Sequence, residues 1–462
     1  MTLIKSISGL RGTIGGVPGE NLTPLDLVKF TSAYGQMIKE RLKDAQSAKI
    51  VVGRDARISG EMVHELVIQT LIAQGFEVID LGLSTTPTVE FATVNEKAKG
   101  GIILTASHNP AEWNALKLLN ENGEFFSAED GKQLLKYVDA LAFEYSPVNK
   151  LGRRHKITDY IDRHIEKIKD LRFVDVELVR SKKFKVVVDS VHSTGGLAVP
   201  PLLRAFGVEV VELFSEPHGK FPHDPEPLEK NLGVLMNSVR VEGADFGIAV
   251  DPDVDRLALV DENGAMFGEE YTLVACADYI LSKSPGACVS NLSSTRALRD
   301  LAHTYNADYY ASAVGEVNVV SMMKKVGAVI GGEGNGGVIY PENHYGRDAL
   351  LGIALFLMLL SERELKVSAL RNTYTSYFMA KEKLTLALSD TELSLVLEQL
   401  AEKYAAHSPL CIDGVKIDFE DSWVHLRKSN TEPIVRIYTE AKSLEEAKAL
   451  ADKFGAELRS LA

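Results

Sequence analysis

Three aspartates alternate along a short segment of the chain, at Asp251, Asp253 and Asp255. They directly follow the apolar stretch 246–250, which is typical of a buried strand. Carboxylates this close together repel one another unless a cation neutralises them, and oxygen ligands suit Mg²⁺. An EF-hand is excluded because Arg256 stands where that loop needs glycine. The alternative is an acidic turn exposed to solvent; we favour a metal site because the segment follows a buried strand.

Ser107 lies in a second polar loop, 105–110, which follows the apolar stretch 101–104. A serine hydroxyl near a histidine and a lysine, here His108 and Lys117, can act as a nucleophile or carry a phosphoryl group. The loop lacks the Gly-x-Ser-x-Gly motif of the α/β-hydrolases. The alternative is a simple turn, since Asn and Pro favour turns.

A third loop, 331–337, places five glycines around Glu333 and Asn335. Glycines let the backbone approach a ligand closely, and the two polar side chains are suited to hydrogen-bond sugar hydroxyls. The segment is neither a P-loop nor a dinucleotide-binding motif, because it lacks the required spacing and the Gly-Lys-Ser/Thr ending. The alternative is a flexible hairpin turn.

The fourth loop begins at Arg427 and continues through Ser429, Asn430 and Thr431, with Arg436 shortly after it. Arginine binds phosphate through two parallel hydrogen bonds, and small polar groups complete the contacts. The pattern therefore predicts a phosphate-binding loop. A capped turn carrying surface charges is the alternative.

Secondary-structure elements must position these loops. One predicted pattern, strand, polar loop, helix and strand, recurs three times along the chain. Short apolar strands alternating with helices indicate α/β layers with polar loops at the carboxyl ends of strands. The predicted strand, helix and strand of each repeat are 49–53, 60–73 and 76–79; then 184–189, 197–206 and 208–211; then 287–291, 295–305 and 307–310.

The last ninety or so residues differ, with strand-like segments at 414–419, 423–427 and 434–439 and a helix that ends near Arg459. Ser443 is suited to cap that helix. We therefore expect an α/β protein of three similar domains with mixed sheets, and a smaller C-terminal α+β domain, around a central cleft. The predicted domains are 1–147, 148–257, 258–370 and 371–462.

Composition narrows the functional class. The net charge of -13 over 462 residues argues against a nucleic-acid partner. No signal peptide is predicted at the N-terminus, and the longest apolar run, 349–360, is too short to span a membrane. Three scattered cysteines predict neither a disulfide framework nor a zinc site, which favours a cytoplasmic protein. The sequence predicts no particular oligomeric state.

Taken together and in this order, the four loops resemble those of the α-D-phosphohexomutase family. The resemblance extends over essentially the whole chain and includes the segments 8–12 and 53–57. It implies three similar α/β domains followed by a domain related to the TATA-binding-protein fold. It also implies one Mg²⁺ in each active site and a phosphoserine at Ser107.

The resemblance further implies a role for each loop. Ser107 would carry the phosphoryl group and, with the three aspartates, hold the Mg²⁺. Arg11, His108 and Lys117 would line the reacting end, with Lys117 ahead of His108 as the general base. The residues implied to bind substrate are Arg256, Glu333, Asn335, Arg427, Ser429, Asn430, Thr431 and Arg436.

The implied activity is that of an isomerase in carbohydrate metabolism. A hexose 6-phosphate and a hexose 1-phosphate would interconvert through a phosphoserine enzyme and a hexose 1,6-bisphosphate. We prefer phosphoglucosamine, an intermediate of amino-sugar biosynthesis, as the substrate; phosphomannose and phosphoglucose are the alternatives. A metal-dependent sugar phosphatase is less well supported because it needs no second phosphate clamp. A sugar-phosphate sensor is less well supported because it would require the loss of Ser107 or of the three aspartates, and neither is lost.

The sequence departs from the family pattern at position 337. Many members carry a histidine, proposed as an acid or base, where this chain has Gly337. Either another group serves, with His344 as one candidate, or Lys117 works with less help.

Overall fold

The computed structural model describes residues 2–6, 9–42, 48–386, 388–428 and 434–461. The strands of these ranges are β1 (Ile4–Ser6), β2 (Gly9–Thr13), β3 (Lys49–Arg54), β4 (Glu77–Leu83), β5 (Gly100–Leu104), β6 (Trp113–Leu119), β7 (Arg153–Lys156), β8 (Lys185–Asp189), β9 (Glu209–Leu213), β10 (Phe246–Val250), β11 (Leu257–Val260), β12 (Cys288–Asn291), β13 (Tyr309–Ser312), β14 (Ile330–Glu333), β15 (Gly337–Ile339), β16 (Phe378–Leu384), β17 (Val415–Asp418), β18 (Trp423–Lys428) and β19 (Val435–Ala441). The α-helices are α1 (Pro24–Arg41), α2 (Gly60–Ala73), α3 (Thr86–Asn95), α4 (Ala128–Ala140), α5 (Tyr160–Lys169), α6 (Val176–Lys182), α7 (Gly195–Ala205), α8 (Gly233–Glu242), α9 (Glu269–Lys283), α10 (Ala297–Thr304), α11 (Glu316–Val326), α12 (Ala349–Arg363), α13 (Val367–Arg371), α14 (Asp390–Lys403) and α15 (Leu444–Leu461).

The chain forms two compact units, each built from two segments. Unit one contains Met1–Ile280 and Asn335–Ala369, and unit two contains Leu281–Gly334 and Leu370–Ala462. Among the helices described, none combines the length and the apolar character that a membrane crossing requires.

The first sheet of unit one has the strand order β1-β2-β6-β5-β3-β4-β7. Its β5, β3, β4 and β7 are parallel, whereas β6 and β2 run antiparallel to their neighbours. Alternate side chains of β3 enter two different cores, Ile50 and Val52 on one face and Val51 on the other. This sheet is covered on both faces, as its continuous apolar strands predict.

The second sheet of unit one has the order β11-β10-β8-β9, with β10, β8 and β9 parallel and β11 antiparallel. This is the same arrangement as β6-β5-β3-β4 in the first sheet. Helix α8 packs on it and contributes Leu235 and Val239 to a core shared with Val187 and Val260.

Unit two contains a parallel arrangement in which β12 lies between β13 and β14. It also contains an antiparallel sheet of order β16-β19-β18-β17, whose core is shared with α14 and α15. The predicted succession of α/β layers and a C-terminal α+β region is therefore confirmed.

Two features differ from the sequence-based expectations. The sheets continue past the predicted boundaries, because β7 follows residue 147 and β11 begins at residue 257. The C-terminal sheet also gains β16, which pairs with β19 along its whole length. An edge strand that alternates lysine and glutamate carries little apolar pattern, so β16 was not predicted.

Candidate active site

Ser107 lies immediately beyond the carboxyl end of β5, in a left-handed backbone conformation with a φ of 50°. Its N–H donates to Thr105 Oγ1 at 2.9 Å, which fixes the turn. Its hydroxyl donates to Asp251 Oδ2 at 2.7 Å, and its Oγ lies 3.4 Å from His108 Nδ1. The predicted serine and the first predicted metal ligand are therefore in direct contact within unit one.

A buried arginine shapes this serine loop. The guanidinium of Arg57 donates to the carbonyl oxygens of Ser107, Asn109 (2.7 Å), Pro110 (2.6 Å) and Trp113 (3.0 Å). Five donors in a rigid fork allow one side chain to hold a whole turn in this way. Arg57 is anchored in turn by Asp55, whose Oδ2 accepts from Arg57 Nε at 3.0 Å and from Thr105 Oγ1 at 2.7 Å.

The acidic loop begins at the end of β10 and folds around Asp251. Asp251 Oδ1 accepts the backbone N–H groups of Asp255 and Arg256, each at 3.1 Å. Val254 takes a left-handed φ of 64°, so Asp251, Asp253 and Asp255 turn toward one another. Their ligand oxygens lie within 4.8 Å of one another, and all three residues are fully buried.

Helix α3 holds the acidic loop from a second side. The backbone N–H of Thr86 donates to the carbonyl of Asp253 at 2.9 Å, and its hydroxyl donates to Asp253 Oδ2 at 2.6 Å. Both bonds come from the first residue of the helix. A carboxylate is favoured at a helix N-terminus because the unpaired N–H groups there carry partial positive charge.

Two cations share the carboxylates of this loop. Lys117 Nζ donates to Asp253 Oδ2 at 2.6 Å and to Asp255 Oδ2 at 3.2 Å. Arg347 Nη2 donates to the same Asp255 oxygen at 2.8 Å. Lys117 lies on β6 and Arg347 directly before α12. Residues far apart in the sequence therefore contact the same oxygen of Asp255.

The remaining oxygens fit a hard divalent cation. Asp253 Oδ1 and Asp255 Oδ1 are buried and accept no hydrogen bond from any of the described residues. Leaving a buried carboxylate oxygen without a partner costs free energy, and a bound cation would supply the missing interaction. Three carboxylates, with no nitrogen or sulfur donor among them, form a ligand set that suits Mg²⁺.

The charges in the site are strongly coupled. Burial, reinforced by the nearby Asp253 and Asp255, raises the pKa of Asp251 well above its usual range. Burial also acts against ionisation of Asp253, but Lys117 outweighs it and lowers the pKa of that carboxyl. Although burial opposes it, the carboxylates of Asp253 and Asp255 raise the pKa of Lys117, which keeps this side chain as an ammonium.

Three further predicted residues border the serine. Arg11 Nη1 donates to Asn109 Oδ1 at 2.8 Å, beside the serine turn. His108 Nε2 and Arg256 Nη1 both approach Glu226 Oε1, at 3.9 and 3.4 Å. Burial, together with the positive charges of Arg256 and Arg11, lowers the pKa of His108 to about 2, so its ring is neutral at physiological pH.

The glycine-rich loop supplies one polar residue to each unit. In unit two, Glu333 Oε1 accepts from Asn291 Nδ2 at 2.8 Å and from the N–H of Gly315 at 3.1 Å. In unit one, Asn335 Oδ1 accepts the N–H of Gly337 at 3.3 Å.

The two arginines predicted to bind phosphate lie on neighbouring strands of unit two. Arg427 on β18 and Arg436 on β19 are directly opposite in the antiparallel register. Like charges in this relation destabilise a sheet unless an anion lies between them. The buried Nε of Arg427 makes no hydrogen bond to the described residues. Ser429, Asn430 and Thr431 lie outside the described residues.

A second group of potential metal ligands, His164, His344 and Asp348, lies elsewhere in unit one. Asp348 Oδ2 accepts a hydrogen bond from Asn343 Nδ2 at 2.8 Å. The same oxygen lies 3.1 Å from His164 Nε2 and 3.2 Å from His344 Nε2. The other ring nitrogen of His344 lies 3.3 Å from Glu90 Oε2. His344 is therefore held between two carboxylates inside a hydrogen-bonded network, which argues against its service as an acid or base for substrate.

Arg57, Thr86 and Arg347 were not singled out from the sequence. Arg57 stands in the segment 53–57 that carries part of the resemblance, which is the one available signal for it. Thr86 and Arg347 contact the acidic loop from 167 and 92 residues away, so no local spacing connects them to it.

Comparison with family models finds the domains of one family along the whole chain. The phosphoglucomutase/phosphomannomutase alpha/beta/alpha domains I, II and III match residues 4–144, 162–264 and 268–377. The C-terminal domain of the same family matches residues 386–456. Three α/β domains and a C-terminal domain thus occur in the predicted order.

Individual relatives agree with this result. A protein of Thermococcus kodakarensis named "Phosphoglucomutase/phosphomannomutase" is 37% identical over 443 residues, covering 95% of this chain and 96% of that protein. A protein of Methanopyrus kandleri named "Probable phosphoglucosamine mutase" is 33% identical over 451 residues, covering 97% and 96%. A crystal structure of a phosphoglucomutase/phosphomannomutase family protein from Burkholderia thailandensis superposes with a TM-score of 0.85, at 26% identity, covering 99% of this chain and 97% of that one.

Proposed function

The chain belongs to the phosphoglucomutase/phosphomannomutase family, the α-D-phosphohexomutases, and on this premise we propose that it works through a phosphorylated Ser107. As a phosphohexomutase it is an isomerase that interconverts hexose 6-phosphate and hexose 1-phosphate. The observation that carries our proposal is the 2.7 Å contact between Ser107 Oγ and Asp251, inside a buried trio of aspartates.

The proposed reaction consists of two phosphoryl transfers. In the first, the bond between phosphorus and Ser107 Oγ breaks and phosphorus bonds to the free hydroxyl oxygen of the hexose phosphate. The hydroxyl proton passes to a base, and Ser107 Oγ takes up a proton. The resulting bisphosphorylated sugar turns end for end. In the second, the bond between its other phosphoryl group and the sugar oxygen breaks, phosphorus bonds to Ser107 Oγ, the serine proton passes to a base and the sugar oxygen regains a proton.

Lys117 and His108 are the candidates for these proton transfers, since each lies beside the groups that react. Lys117 is an ammonium bonded to two carboxylates, which suits it to donate a proton to a departing oxygen. His108 lies 3.4 Å from Ser107 Oγ, but the burial and the arginine charges that lower its pKa also oppose its taking up a proton. The order expected from the sequence, with Lys117 ahead of His108 as the base, therefore stays our proposal.

Ser107, Asp251, Asp253 and Asp255 are the proposed ligands of Mg²⁺. The ion would neutralise charge on the oxygens of the transferring phosphoryl group, which is much of what phosphoryl transfer requires. The residues of the chain do the rest: Arg57 fixes the serine turn, and Arg11 and Lys117 add positive charge beside it.

Arg427 and Arg436 are the proposed clamp for the phosphate that does not react. A dianion between two opposed guanidinium groups relieves their repulsion and can bind each of them through two hydrogen bonds. We assign Ser429, Asn430 and Thr431 to the same clamp on the sequence alone. A remote phosphate that binds equally in both orientations of the sugar anchors it without favouring one transfer.

We propose glucosamine phosphate as the preferred substrate, with mannose and glucose phosphates as the alternatives. Relatives bearing both kinds of name match nearly the whole chain, so the sugar must be decided by experiment. Glu333, Asn335 and Arg256 are the residues that we assign to substrate binding. A sugar phosphatase that uses the same acidic loop is the second candidate, and it would release inorganic phosphate instead of an isomer.

A coupled assay tests this proposal directly. Purified protein with Mg²⁺ and a trace of hexose 1,6-bisphosphate is given glucosamine, glucose or mannose 6-phosphate, and both hexose 1-phosphate and inorganic phosphate are measured. We expect isomer formation, fastest with glucosamine phosphate, and no stoichiometric release of phosphate. Isomerisation faster with another sugar would overturn only the substrate preference, whereas phosphate release without isomer would identify a phosphatase.

A further inference from the structure

Resting on the proposed function, we propose that Arg347 is a further residue of the reacting end, whose guanidinium stabilises the charge of the transferring phosphoryl group. None of the four predicted loops contains it. The inference depends on what lies in front of Gly337, on what Arg347 contacts and on how firmly its backbone is held.

The side chain of Arg347 fills the space in front of Gly337. A Cβ added at Gly337 would lie 2.3 Å from Arg347 Cδ and 2.9 Å from its Cγ, far inside van der Waals contact. The φ of Gly337 is outside the left-handed region, so the backbone itself would accept a side chain. Position 337 is therefore glycine because the stem of Arg347 crosses it.

The side chain of Arg347 extends from the glycine-rich loop to the acidic loop. The same added Cβ would lie 3.1 Å from Asn335 Oδ1, so Arg347 passes beside the polar residue that we assign to the sugar. Its head reaches Asp255 Oδ2 at 2.8 Å, the oxygen that also accepts from Lys117. Arg347 thus lies between the residue assigned to the hydroxyls and the residues assigned to the phosphoryl group.

The backbone that directly follows Arg347 is hydrogen-bonded to two other segments. The N–H of Asp348 donates to the carbonyl of Val338 at 2.9 Å, and the N–H of Ala349 donates to the carbonyl of Val254 at 3.1 Å. Asp348 also caps α12, accepting the N–H groups of Leu350 and Leu351. Arg347 is 8% exposed, and a side chain held this way can act without first being ordered.

The chemistry of the guanidinium decides which role it can have. Arginine stays protonated in proteins, so Arg347 cannot exchange a proton with substrate. Its planar fork matches phosphoryl oxygens, and a well-placed arginine stabilises the charge that spreads over them during transfer. It shares Asp255 Oδ2 with Lys117, which places two cations at one carboxylate oxygen beside the proposed transfer.

The first experiment compares Arg347→Ala, Arg347→Lys and, as a matched control, Arg363→Ala. Arg363 is the last residue of α12, whereas Arg347 precedes its first, and it pairs with the buried Asp278, so its loss should leave turnover unchanged. We expect Arg347→Ala to lower kcat by about 10²- to 10³-fold, the usual cost of removing one preorganised donor to developing charge. KM should change little, and Arg347→Lys should recover part of kcat because it keeps the charge without the fork.

The second experiment is a double-mutant cycle with Gly337→Ala. The added methyl group should displace the arginine stem, so Gly337→Ala alone should lower kcat although no charge has been removed. In the Arg347→Ala background the space is open, and the second change should cost almost nothing further. If Arg347→Ala fails to fold, Gly337→Ala alone still tests the role, because it displaces the arginine stem while retaining every charged group.

The outcomes separate this inference from the proposed function. Isomerisation by wild-type protein with an unchanged kcat in Arg347→Ala would overturn the role of Arg347 alone. If the losses in kcat of the two single variants multiply in the double variant, Arg347 does not act through the space in front of Gly337. A wild-type protein that isomerises no hexose phosphate would overturn the proposed function itself.

Discussion

Arg57 shows how one side chain can organise a reactive turn. It donates to four carbonyl groups around Ser107 and is fully buried beside Asp55. The position of Ser107 Oγ relative to Asp251 therefore depends on a residue fifty positions away in the sequence. The turn is held by bonds within the chain itself, and such positioning of the reacting group is what a phosphoryl carrier requires.

Arg57→Lys should lower kcat by about 10²-fold, because a displacement of the reacting group of about 1 Å has costs of this order. Lysine keeps the charge beside Asp55 but cannot hold four carbonyl groups at once. The thermal midpoint should also fall. Arg41→Lys, at a partly exposed ion pair with Asp130, is the control. Equal kcat in the two variants would contradict the clamp role of Arg57.

The candidate site residues that the sequence indicated most directly lie within short polar segments. Ser107 and the three aspartates stand in compact loops directly after apolar strands, and the structure brings all four together. Arg347 and Thr86 were missed because the fold, not the spacing, brings them to the acidic loop. Lys117 was predicted as a site residue, but its charge state depends on Asp253 and Asp255, which no local pattern shows.

At the scale of elements, the three α/β repeats place their polar loops at equivalent points. The serine loop follows β5 and the acidic loop follows β10, each the third strand of its repeat. The segment 331–337, predicted as a loop, begins within β14, the third strand of the last repeat, so Glu333 is the final residue of that strand. In unit one, β5 and β10 each lie beside the first parallel strand of their own repeat, β3 and β8. Repetition of one element order explains why the pattern of strand, loop and helix located the first two loops correctly.

Asp348, the N-cap residue of helix α12, makes two kinds of contact. One of its carboxylate oxygens accepts hydrogen bonds from the first turn of the helix, and the other contacts His164, His344 and Asn343. Asp348→Asn should retain a cap but lose the charge, whereas Asp348→Ala should lose both. We expect the thermal midpoint to fall from wild type to Asp348→Asn and again to Asp348→Ala. The free energy of unfolding should differ by about 1 kcal/mol between the two variants. Identical midpoints for the two variants would show that the cap contributes nothing.

The same network predicts how stability changes with pH. Burial disfavours the charged ring of His344, but Asp348 and Glu90 outweigh it and raise its pKa to about 10, from an ordinary value of 6.5. A group whose pKa rises on folding stabilises the folded state fully below its unfolded pKa and loses that effect as pH rises through the folded pKa. His344 should therefore stabilise the protein at pH 6 and progressively less toward pH 10.

Thermal unfolding of wild type and His344→Gln across pH 6 to 10 measures this effect. The difference between the two midpoints should be largest near pH 6 and shrink as pH approaches 10. The other groups that face His344, namely Glu90, Asp348 and the His164 ring, are unchanged in the variant. A difference that stays constant over this range would contradict a buried imidazolium.

At the scale of the molecule, each unit is completed by a segment from far along the chain. Helix α12 belongs to unit one although residues 281–334 of unit two precede it. Its Phe356 packs against Phe246 and Phe267, with ring centroids 5.6 and 5.4 Å apart. The sequence marked this helix as buried, since its apolar run has no polar face, but gave no indication of which core it joins.

Phe356→Ala should destabilise the protein by about 3–5 kcal/mol, because it removes a large buried side chain and leaves a cavity. Chemical denaturation followed by fluorescence measures the change. Phe378→Ala is the control, since Phe378 is 46% exposed and its loss should cost less than about 0.5 kcal/mol. A small effect at Phe356 would mean that α12 is not part of the core of unit one.

The central claim is that Ser107 carries the phosphoryl group, and intact-protein mass spectrometry tests it most directly. Protein incubated with hexose 1,6-bisphosphate and Mg²⁺ should gain one phosphate, which peptide mapping should place on Ser107 and which excess hexose 6-phosphate should remove. Ser107→Ala should gain none and should not isomerise hexose phosphates. Phosphate on another residue, or isomerisation by Ser107→Ala at the wild-type rate, would contradict the account.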